Sequence, residues 1–303
     1  MVDELRFDDR VAVVTGAGRG IGRCHALLLA SRGAKVVVAD YGGALDGTGS
    51  SAAPAEKVAA EIRAAGGEAV PTFASVAQEE GAAAIVQAAL DEFGRLDIVV
   101  NNAGISDKHL FGDLTIAQFR RMMDVHFFGT LHVIKAAWPH LVEAGYGRIV
   151  NTMSEGALGA QPFLTSYGAA KGAVWALTRT VASESTELGI TCNAVAPRAR
   201  TRLADDGAKV IDDPVMAKLR EETMARMDPE LVSVTAAYLA HESCPLNGEV
   251  FVSGGGDVMR LAPVVTPGIS KGKELTVEEV AAAVDTILDV GEARVMPIGA
   301  FLR

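Results

Sequence analysis

Three residues in the middle of the chain carry side chains that could move a proton. Tyr167 and Lys171 stand four residues apart in YGAAK, which places both on one face of a predicted helix. A neighbouring ammonium favours the phenolate and brings proton transfer by the tyrosine closer to neutral pH. Ser154 follows a predicted strand, where its hydroxyl could hydrogen-bond a substrate carbonyl or alkoxide. A tyrosine and a lysine at this spacing are usually just an exposed pair, so the assignment depends on the rest of the chain.

A glycine-rich turn near the amino terminus predicts a dinucleotide site. The stretch VAVVTGAGRGIG, residues 11–22, places four glycines between a predicted strand and a predicted helix. Gly16 permits the tight turn, Gly20 lets backbone amides approach a pyrophosphate, and Gly22 allows the helix to pack on the strand. A glycine-rich turn that binds no ligand is the simpler alternative.

The next predicted strand favours the dinucleotide interpretation because it ends in Asp40. A carboxylate at this position can accept hydrogen bonds from the adenosine ribose hydroxyls and would repel a 2′-phosphate. NAD is therefore the expected cofactor, and NADP is the weaker candidate. Arg19 lies inside the glycine turn and could contact a phosphate, or it could be a solvated cation at the start of the helix.

The segments that must position these residues alternate between strand and helix patterns. Seven short runs rich in valine or isoleucine predict strands at 11–16, 35–40, 68–73, 97–102, 148–153, 191–197 and 249–254. Helical spacing lies between them at 21–31, 55–65, 79–93, 116–144 and 166–188. This alternation predicts parallel strands joined by right-handed crossovers. We therefore expect a Rossmann-type, doubly wound α/β fold with seven strands flanked by helices.

Composition restricts the partners of the chain. A net charge of −10 over 303 residues would repel nucleic-acid backbones and anionic lipid, so neither is expected as a partner. The three cysteines lack disulfide or zinc spacing, so we expect small buried hydrophobic residues and no metal site. The first residues, MVDELRFDDR, have no apolar core, and no apolar run reaches membrane-spanning length. We therefore expect a cytoplasmic location.

Two segments depart from the alternation. Residues 42–56 are rich in glycine, serine and alanine and are longer than a usual βα loop. Beyond the last predicted strand, a loop precedes a helix, with Thr276 as its N-cap and Glu279 completing a capping box. We therefore divide the chain into a dinucleotide-binding domain with the active site at 1–256 and a C-terminal helical extension at 257–303. The extension is expected to pack on its own domain or on a neighbouring subunit.

Four motifs resemble, in order, those of the short-chain dehydrogenase/reductase family. They are TGAGRGIG in the glycine turn, NNAG at 101–104, Ser154, and YGAAK, which contains Tyr167 and Lys171. The resemblance extends over about residues 7–256. It implies that Tyr167 is the general acid or base, that Ser154 polarises the reacting oxygen, and that Lys171 lowers the pKa of the tyrosine and holds the nicotinamide ribose.

The same resemblance implies which residues hold the cofactor. They are Gly16, Gly18, Arg19, Gly20, Ile21, Gly22, Asp40, Ser75, Val76, Asn101, Asn102, Ala103, Gly104, Tyr167, Lys171, Val195, Pro197 and Thr201. Among them, Asn101 and Gly104 would line the cofactor cleft. Val195 and Thr201 would lie near the nicotinamide carboxamide.

Three positions depart from the family pattern. His126 stands where the family has a fourth catalytic residue, an asparagine, whose carbonyl or side-chain amide serves a water-mediated proton relay. It is therefore a candidate catalytic residue, or else a packed or solvated histidine. Arg198 replaces a glycine and, with Arg200, could attract an anionic group. Ser75 and Val76 replace an acidic residue that often contacts adenine, although Val76 can still pack against the ring.

Longer stretches give a closer resemblance within the family. The loop GGALDGTGS, VHFFGTLHVIKAAWPHL with YGRIV, NAVAPRARTRL and HESCPLNGEVFVSGGG are similar to the dehydrogenase part of multifunctional enzyme type 2 of β-oxidation. This implies oxidation of a (3R)-3-hydroxyacyl-CoA to the 3-oxo thioester, with NAD accepting the hydride. Arg198 and Arg200 would suit the CoA phosphates. Because the hydratase and sterol-carrier parts are not in these residues, hydration is expected to belong to another polypeptide.

Two other functions stay open at this point. The same site could oxidise a hydroxysteroid or another bulky secondary alcohol. The altered His126 also permits a nucleotide-binding sensor or scaffold without turnover, although the three other catalytic candidates argue against it. In the resembling family the two long helical segments at 116–144 and 166–188 form a four-helix interface, so a homodimer or homotetramer is expected.

Overall fold

The short apolar segments form buried strands, as their composition predicted. The computed structural model describes residues 4–159, 161–206, 218 and 221–298. All seven predicted strands are present and an eighth follows them: β1 (Val11–Thr15), β2 (Lys35–Ala39), β3 (Ala69–Thr72), β4 (Ile98–Asn101), β5 (Gly147–Thr152), β6 (Ile190–Pro197), β7 (Val250–Gly254) and β8 (Asp257–Leu261). They form one sheet in the order β3-β2-β1-β4-β5-β6-β7-β8.

The sheet order creates a crevice beside its first strand. The first seven strands run parallel, and Val13 of β1 pairs with Val37 of β2 on one side and with Val99 of β4 on the other. The chain order therefore reverses between β1 and β4, which confirms the Rossmann-type doubly wound fold. In such sheets ligands bind at the carboxyl ends of the strands where the order reverses. The glycine turn follows β1 and NNAG follows β4, so both motifs border this crevice.

The eighth strand was not predicted. It follows β7 after Gly255 and Gly256, whose φ angles are 62° and 91°. Such a two-residue connection joins antiparallel neighbours. Strand β8 is mostly exposed and lacks the apolar run that marks the buried strands.

Helices cover the sheet in two groups. In the first compact unit they are α1 (Gly20–Ser31), α2 (Ala53–Ala64), α3 (Glu79–Phe93), α4 (Ile116–Met123), α5 (Gly129–Ala144), α6 (Thr165–Glu184), α7 (Arg202–Asp206) and α8 (Pro229–Ala240). Helix α1 packs with α2 and α8, whereas α3 packs with α5 and α4 packs with α6. This is the layered arrangement that a parallel sheet needs to bury both faces.

The long helical segment predicted at 116–144 is divided by a π-helical turn. Helix α4 ends at Met123, the wider turn occupies Asp124–Phe128, and α5 begins at Gly129. The N–H of Gly129 donates to the carbonyl of Asp124, five residues back. His126, inside this turn, is only 2% exposed. Single π turns inside α-helices are often found at functional sites.

By its internal contacts the chain divides into two compact units, Met1–Arg260 and Leu261–Arg303. In the first unit Cys24, Cys192 and Cys244 are buried and unbonded, which confirms that they are small hydrophobic residues. None of the described helices combines the length and the apolar character needed to cross a membrane.

The second unit contains short elements in its described part. Strands β9 (Val264–Val265) and β10 (Arg294–Val295) pair antiparallel. The predicted helix is present as two short helices, α9 (Val277–Ala282) and α10 (Val284–Leu288). The predicted capping box is confirmed, because Thr276 and Glu279 exchange side-chain-to-backbone hydrogen bonds.

Candidate active site

The glycine turn lies directly against the NNAG loop. Gly16 and Gly20 have φ angles of 63° and 53°, a conformation that favours glycine. A Cβ atom on Gly16 would lie 2.8 Å from the Cα of Ala103, so a side chain there would collide with backbone. A Cβ on Gly22 would lie 2.3 Å from the Gly16 carbonyl oxygen, which explains why helix α1 can start so close to β1.

A threonine that sequence reasoning did not single out joins the two motifs. The hydroxyl of Thr15, at the end of β1, accepts hydrogen bonds from the N–H groups of Asn102 (3.0 Å) and Ala103 (3.1 Å). The side-chain amide of Asn102 in turn donates to the carbonyls of Thr15 (3.0 Å) and Gly16 (3.2 Å). The sequence signal that could have identified Thr15 is its hydroxyl side chain at the carboxyl end of the central strand.

Asp40 is held by backbone N–H groups on both of its oxygens. Oδ2 accepts from Gly18 (2.7 Å) and Oδ1 accepts from Gly42 (2.6 Å). A Cβ on Gly18 would lie 2.7 Å from Oδ2, so a larger residue at this position would collide with the carboxylate of Asp40. A carboxylate oxygen has two lone-pair sites. Asp40 can therefore still accept hydrogen bonds from a ribose.

The glycine-rich loop after Asp40 forms part of the cleft wall. The N–H of Ser51 donates to the carbonyl of Tyr41 at 3.0 Å and closes the loop on itself. The N–H of Ser106 donates to the carbonyl of Leu45 at 2.7 Å, which ties the loop to the segment after NNAG. This unusually long segment therefore forms one side of the cleft.

Ser154, Tyr167 and Lys171 meet on the wall of the same cleft, a cavity of about 790 Å³. Ser154 lies two residues beyond β5 and accepts the N–H of Gly156 at 3.1 Å. Its hydroxyl lies near the ring of Tyr167, since a Cβ on Gly156 would be 3.4 Å from Oγ of Ser154 and 3.2 Å from Cε1 of Tyr167. Lys171 is 3% exposed, and its ammonium donates to the carbonyl of Thr152 at 2.6 Å. The end of β5 and the first turns of α6 thus bring together three residues that the sequence separates.

Burial dominates the electrostatics of this group. It raises the pKa of Tyr167, and the nearby hydroxyl of Ser154 only partly offsets the rise. Burial also lowers the pKa of Lys171 to about 7. The lysine, together with the cationic nicotinamide of an oxidised cofactor, was expected to lower the pKa of the tyrosine; here, with Nζ of Lys171 5.8 Å from the ring centroid, burial raises it. A cation beside the phenol would restore the preference for phenolate.

His126 packs against Tyr167. The ring centroids of His126 and Tyr167 are 5.2 Å apart, and the planes meet at 84°. Burial, followed by the charge of Lys171, lowers the pKa of His126 to about 3, so the imidazole is neutral. Its Nδ1 is buried and has no hydrogen-bond partner among the described residues.

His126 also anchors the loop after NNAG. Its Nε2 lies 3.1 Å from the N–H nitrogen and 2.9 Å from the carbonyl oxygen of Ile105. A Cβ on Gly104 would lie 2.6 Å from Cε1 of the imidazole, so only glycine fits beside the ring. The carbonyl of His126 accepts the hydroxyl of Thr130 at 2.8 Å. Both the imidazole and the backbone carbonyl of His126 therefore take part in hydrogen bonds.

Most of the predicted site residues line the cleft. Those that do are Gly16, Arg19, Gly20, Ile21, Asp40, Ser75, Val76, Asn102, Ala103, Gly104, His126, Ser154, Tyr167, Lys171, Pro197 and Thr201. Gly18 and Gly22 instead shape the turn. Asn101 and Val195 lie inside the sheet, where the Asn101 amide donates to the Asn151 side chain at 2.9 Å.

The arginines expected to attract an anion are ion-paired. Arg198 makes two hydrogen bonds to Glu155, of 2.7 and 2.6 Å, and Arg200 pairs with Glu221 at 3.1 Å. Neither is among the described residues that line the cleft. Their proposed contact with CoA phosphates is therefore not supported, because local carboxylates already neutralise them.

The arginines that do line the cleft were not identified for that role, apart from Arg19. They are Arg19, Arg121 and Arg202. Arg121 pairs with Asp107 at 2.9 Å, and Asp107 also contacts His109, so this group braces the loop after NNAG. Nothing in the local sequence distinguishes Arg202 from the arginines beside it.

Comparisons with known proteins agree with this geometry. The model of the family described as short chain dehydrogenase matches residues 10–206. A Mycobacterium tuberculosis protein named as a short-chain type dehydrogenase/reductase is 44% identical over 287 residues, or 95% of this chain and 96% of that protein.

Similarity extends to larger and to ligand-bound relatives. Peroxisomal multifunctional enzyme type 2 of Mus musculus is 40% identical over 261 residues, which cover 86% of this chain but only 34% of the mouse protein. This chain thus spans about a third of that relative. A solved structure of a 7α-hydroxysteroid dehydrogenase with NADH and 7-oxo glycochenodeoxycholic acid superposes with a TM-score of 0.73, at 29% identity, over 85% of this chain and 98% of that one.

Proposed function

This chain belongs to the short-chain dehydrogenase family of oxidoreductases, and we propose that it is an NAD-dependent dehydrogenase that oxidises a (3R)-3-hydroxyacyl-CoA to the 3-oxoacyl-CoA. The observation that carries the proposal is that Ser154, Tyr167 and Lys171 line the same cleft as the glycine turn. A dinucleotide site and a proton-transfer site share one cavity. The substrate is inferred from the mouse multifunctional relative.

The residues of the glycine turn fit a dinucleotide. Gly16 has no space for a Cβ, and Gly20 leaves the turn open to the cleft. Asp40 keeps lone pairs for ribose hydroxyls and would repel a 2′-phosphate, which favours NAD over NADP. When bound, NAD supplies the acceptor for the hydride that leaves the carbinol carbon.

The chain itself supplies the path of the proton. Ser154 would hydrogen-bond the substrate oxygen, and the phenolate of Tyr167 would take the hydroxyl proton as the carbonyl forms. In the reverse direction the phenol would return that proton. Because burial lowers the pKa of Lys171 to about 7, its side chain can hold or release a proton near neutral pH. Lys171 is therefore suited to adjusting the charge beside the phenol.

The lining of the cleft permits a bulky apolar substrate. Leu45, Ile105, Met122, Leu164 and Leu203 contribute apolar surface, which suits an acyl chain. A hydroxysteroid is the second candidate substrate, since a structural neighbour is a hydroxysteroid dehydrogenase. We extend the proposal to a cytoplasmic homodimer or homotetramer that associates through the two helical segments at 116–144 and 166–188. Light scattering that shows a monomer at micromolar concentration would contradict the assembly.

The proposal is tested by following NADH formation at the nicotinamide absorbance. The substrates are (3R)- and (3S)-3-hydroxyacyl-CoA and a free hydroxysteroid, each with NAD and with NADP. We expect the highest kcat/KM with the (3R)-thioester and NAD. A clearly higher kcat/KM with the hydroxysteroid would show that the steroid, and not the thioester, is the preferred substrate. NADH binding without turnover of any substrate would favour a nucleotide sensor.

Two tyrosine variants separate catalysis from folding. Tyr167→Phe removes the phenol that exchanges the proton and should reduce kcat by at least about 100-fold. Tyr146→Phe is the matched control, because Tyr146 lies outside the cleft and its ring stacks on the guanidinium of Arg10 at 3.9 Å, a contact that phenylalanine retains. Equal activity in both variants would refute the role of Tyr167.

A further inference from the structure

Two guanidinium groups lie at the opening of the cleft, one in the glycine turn and one in the segment after β6. Arg19 is the residue that precedes helix α1, and Arg202 is the first residue of α7, in the segment after β6. Both side chains are exposed, and both residues line the cleft. Residues separated by 183 positions in the sequence thus place positive charge at the same opening.

These two arginines have no protein partner in the described part of the chain. Neither takes part in a hydrogen bond or an ion pair of its guanidinium, in contrast to Arg121, which pairs with Asp107 at 2.9 Å in the same cleft. Arg198 and Arg200, which flank the same segment after β6, are also neutralised by carboxylates. Within this segment, only Arg202 keeps its guanidinium available to a ligand.

The two positive groups are close enough to act on the same ligand. A Cβ on Gly20 would lie 3.7 Å from the methyl group of Thr201, so the segment that carries Arg202 lies against the glycine turn. Burial and the charge of Arg19 lower the pKa of Arg202, whereas Asp40 raises it. Two like charges at short range cost free energy. An anion placed between them would reverse that cost.

The chemistry of the opening selects a phosphate group as this anion. Arginine presents planar pairs of N–H donors that match phosphate oxygens. Asp40 stands beside the two arginines and would repel a 2′-phosphate on the adenosine ribose, whereas the glycine turn provides backbone for a pyrophosphate.

We propose that Arg19, in the glycine turn, and Arg202, in the segment after β6, clamp the pyrophosphate of the dinucleotide between them. This inference rests on the proposed function, because it assumes a dinucleotide in the cleft. It adds a residue, Arg202, that connects cofactor binding to the substrate end. The next residue, Leu203, lines the cleft as well. Binding of the cofactor would therefore fix the segment against which the substrate packs.

The test measures binding and does not depend on turnover. The dissociation constant of NADH is determined by its fluorescence for the wild type, Arg19→Gln, Arg202→Gln and the double variant. We expect binding about tenfold weaker for each single variant, the loss typical of one charge-assisted hydrogen bond, and weaker still for the double variant. Arg120→Gln is the matched control, because Arg120 is exposed on α4 and is not among the residues that line the cleft.

Fragments of the cofactor identify the group that is clamped. Adenosine, ADP and 2′,5′-ADP are titrated by calorimetry, and free CoA is included because it also carries phosphates. We expect the two arginine variants to weaken the binding of ADP and to leave the binding of adenosine unchanged. A loss confined to 2′,5′-ADP would assign the arginines to a 2′-phosphate, and a loss confined to CoA would assign them to the substrate; either result would overturn the proposal.

The outcome for the clamp is separable from the outcome for the proposed function. If the wild type binds NADH and the arginine variants bind it equally well, the clamp is wrong while the dehydrogenase proposal stands. If the wild type binds no dinucleotide, the proposed function itself fails. Thermal unfolding of each variant shows whether a weakened binding reflects loss of the fold.

Discussion

The imidazole of His126 lies edge-on against the ring of Tyr167, with 5.2 Å between the ring centroids. The same imidazole holds Ile105 through Nε2. His126→Ala should therefore destabilise the fold by about 2–4 kcal/mol, through a buried cavity and an unpaired backbone group.

His126→Asn tests which of these contacts matters. An asparagine retains a side-chain donor and acceptor for Ile105 but loses the contact with the ring of Tyr167. We expect less destabilisation than for alanine, measured by urea unfolding, and a lower kcat that follows the misplacement of the tyrosine. Alanine and asparagine variants with the same stability and activity as the wild type would contradict this.

Gly104→Ala should disrupt the site for a steric reason. The added Cβ would lie 2.6 Å from Cε1 of His126, which is buried and cannot move freely. We expect loss of most activity and a destabilisation of about 1–3 kcal/mol, the range for overpacking. Gly112→Ala is the control, since its Cβ would meet nothing within 4 Å. Equal unfolding midpoints and activities for the two variants would refute the prediction.

Two buried histidines should make the fold sensitive to acid. Burial lowers the pKa of His25 to about 4 and that of His126 to about 3. The unfolded chain then binds more protons than the folded one below about pH 6.5. Stability is therefore present above pH 6.5 and is lost as pH falls towards 4, at up to about 1.4 kcal/mol per pH unit for each histidine.

Unfolding in urea between pH 7 and pH 4.5 measures this loss. His25→Asn removes one of the two groups, together with its contact to Ser233 of 2.8 Å, and should flatten the pH dependence. The variant will be less stable at pH 7, but the slope is the diagnostic quantity. An unchanged slope would show that His25 is not titrating in this range.

Asp40→Asn should relax the proposed preference for NAD over NADP. The amide can still accept the N–H of Gly18 and would no longer repel a 2′-phosphate. We expect the ratio of kcat/KM for NADP to that for NAD to rise by about tenfold, one charge–charge repulsion being worth about 1.4 kcal/mol here. The dissociation constants of NADH and NADPH provide a second readout. A constant ratio would remove Asp40 as a determinant of the cofactor.

Arg198 should influence catalysis through Ser154. Its two hydrogen bonds to Glu155 fix the residue that follows the serine. We expect Arg198→Gln to lower kcat at least about threefold by loosening Ser154, and to leave the KM for a CoA thioester within about twofold. Arg200→Gln, which removes the pair with Glu221, serves as the control. A raised KM with unchanged kcat would instead restore a role in substrate binding.

Much of this site could be predicted because its determinants are local. The glycines mark a turn whose backbone has positive φ at Gly16 and Gly20, and Asp40 ends the next strand. Apolar runs mark buried parallel strands, whose carboxyl ends must meet at one edge of the sheet. Local patterns therefore predicted the fold and the meeting of the glycine turn and the NNAG loop at one cleft.

Other features depend on contacts that no local pattern records. The carboxylate that pairs with Arg198 lies 43 residues earlier in the chain, so the ion pair could not be foreseen. Strand β8 is mostly exposed and has no apolar run to mark it. The burial that raises the pKa of Tyr167 is likewise a property of the assembled cleft, which the spacing of Tyr167 and Lys171 does not record.

The π turn at Asp124–Phe128 holds one residue more than a regular helical turn between α4 and α5. One residue in an α-helix corresponds to a rotation of about 100°. Because the wider turn takes up the additional residue, the face of α5 that carries Val133, Ala137 and Leu141 stays packed on the sheet. If the same residues formed regular α-helical hydrogen bonds, that face would turn away by about this angle. Deleting one residue from this stretch should consequently be tolerated better than inserting one.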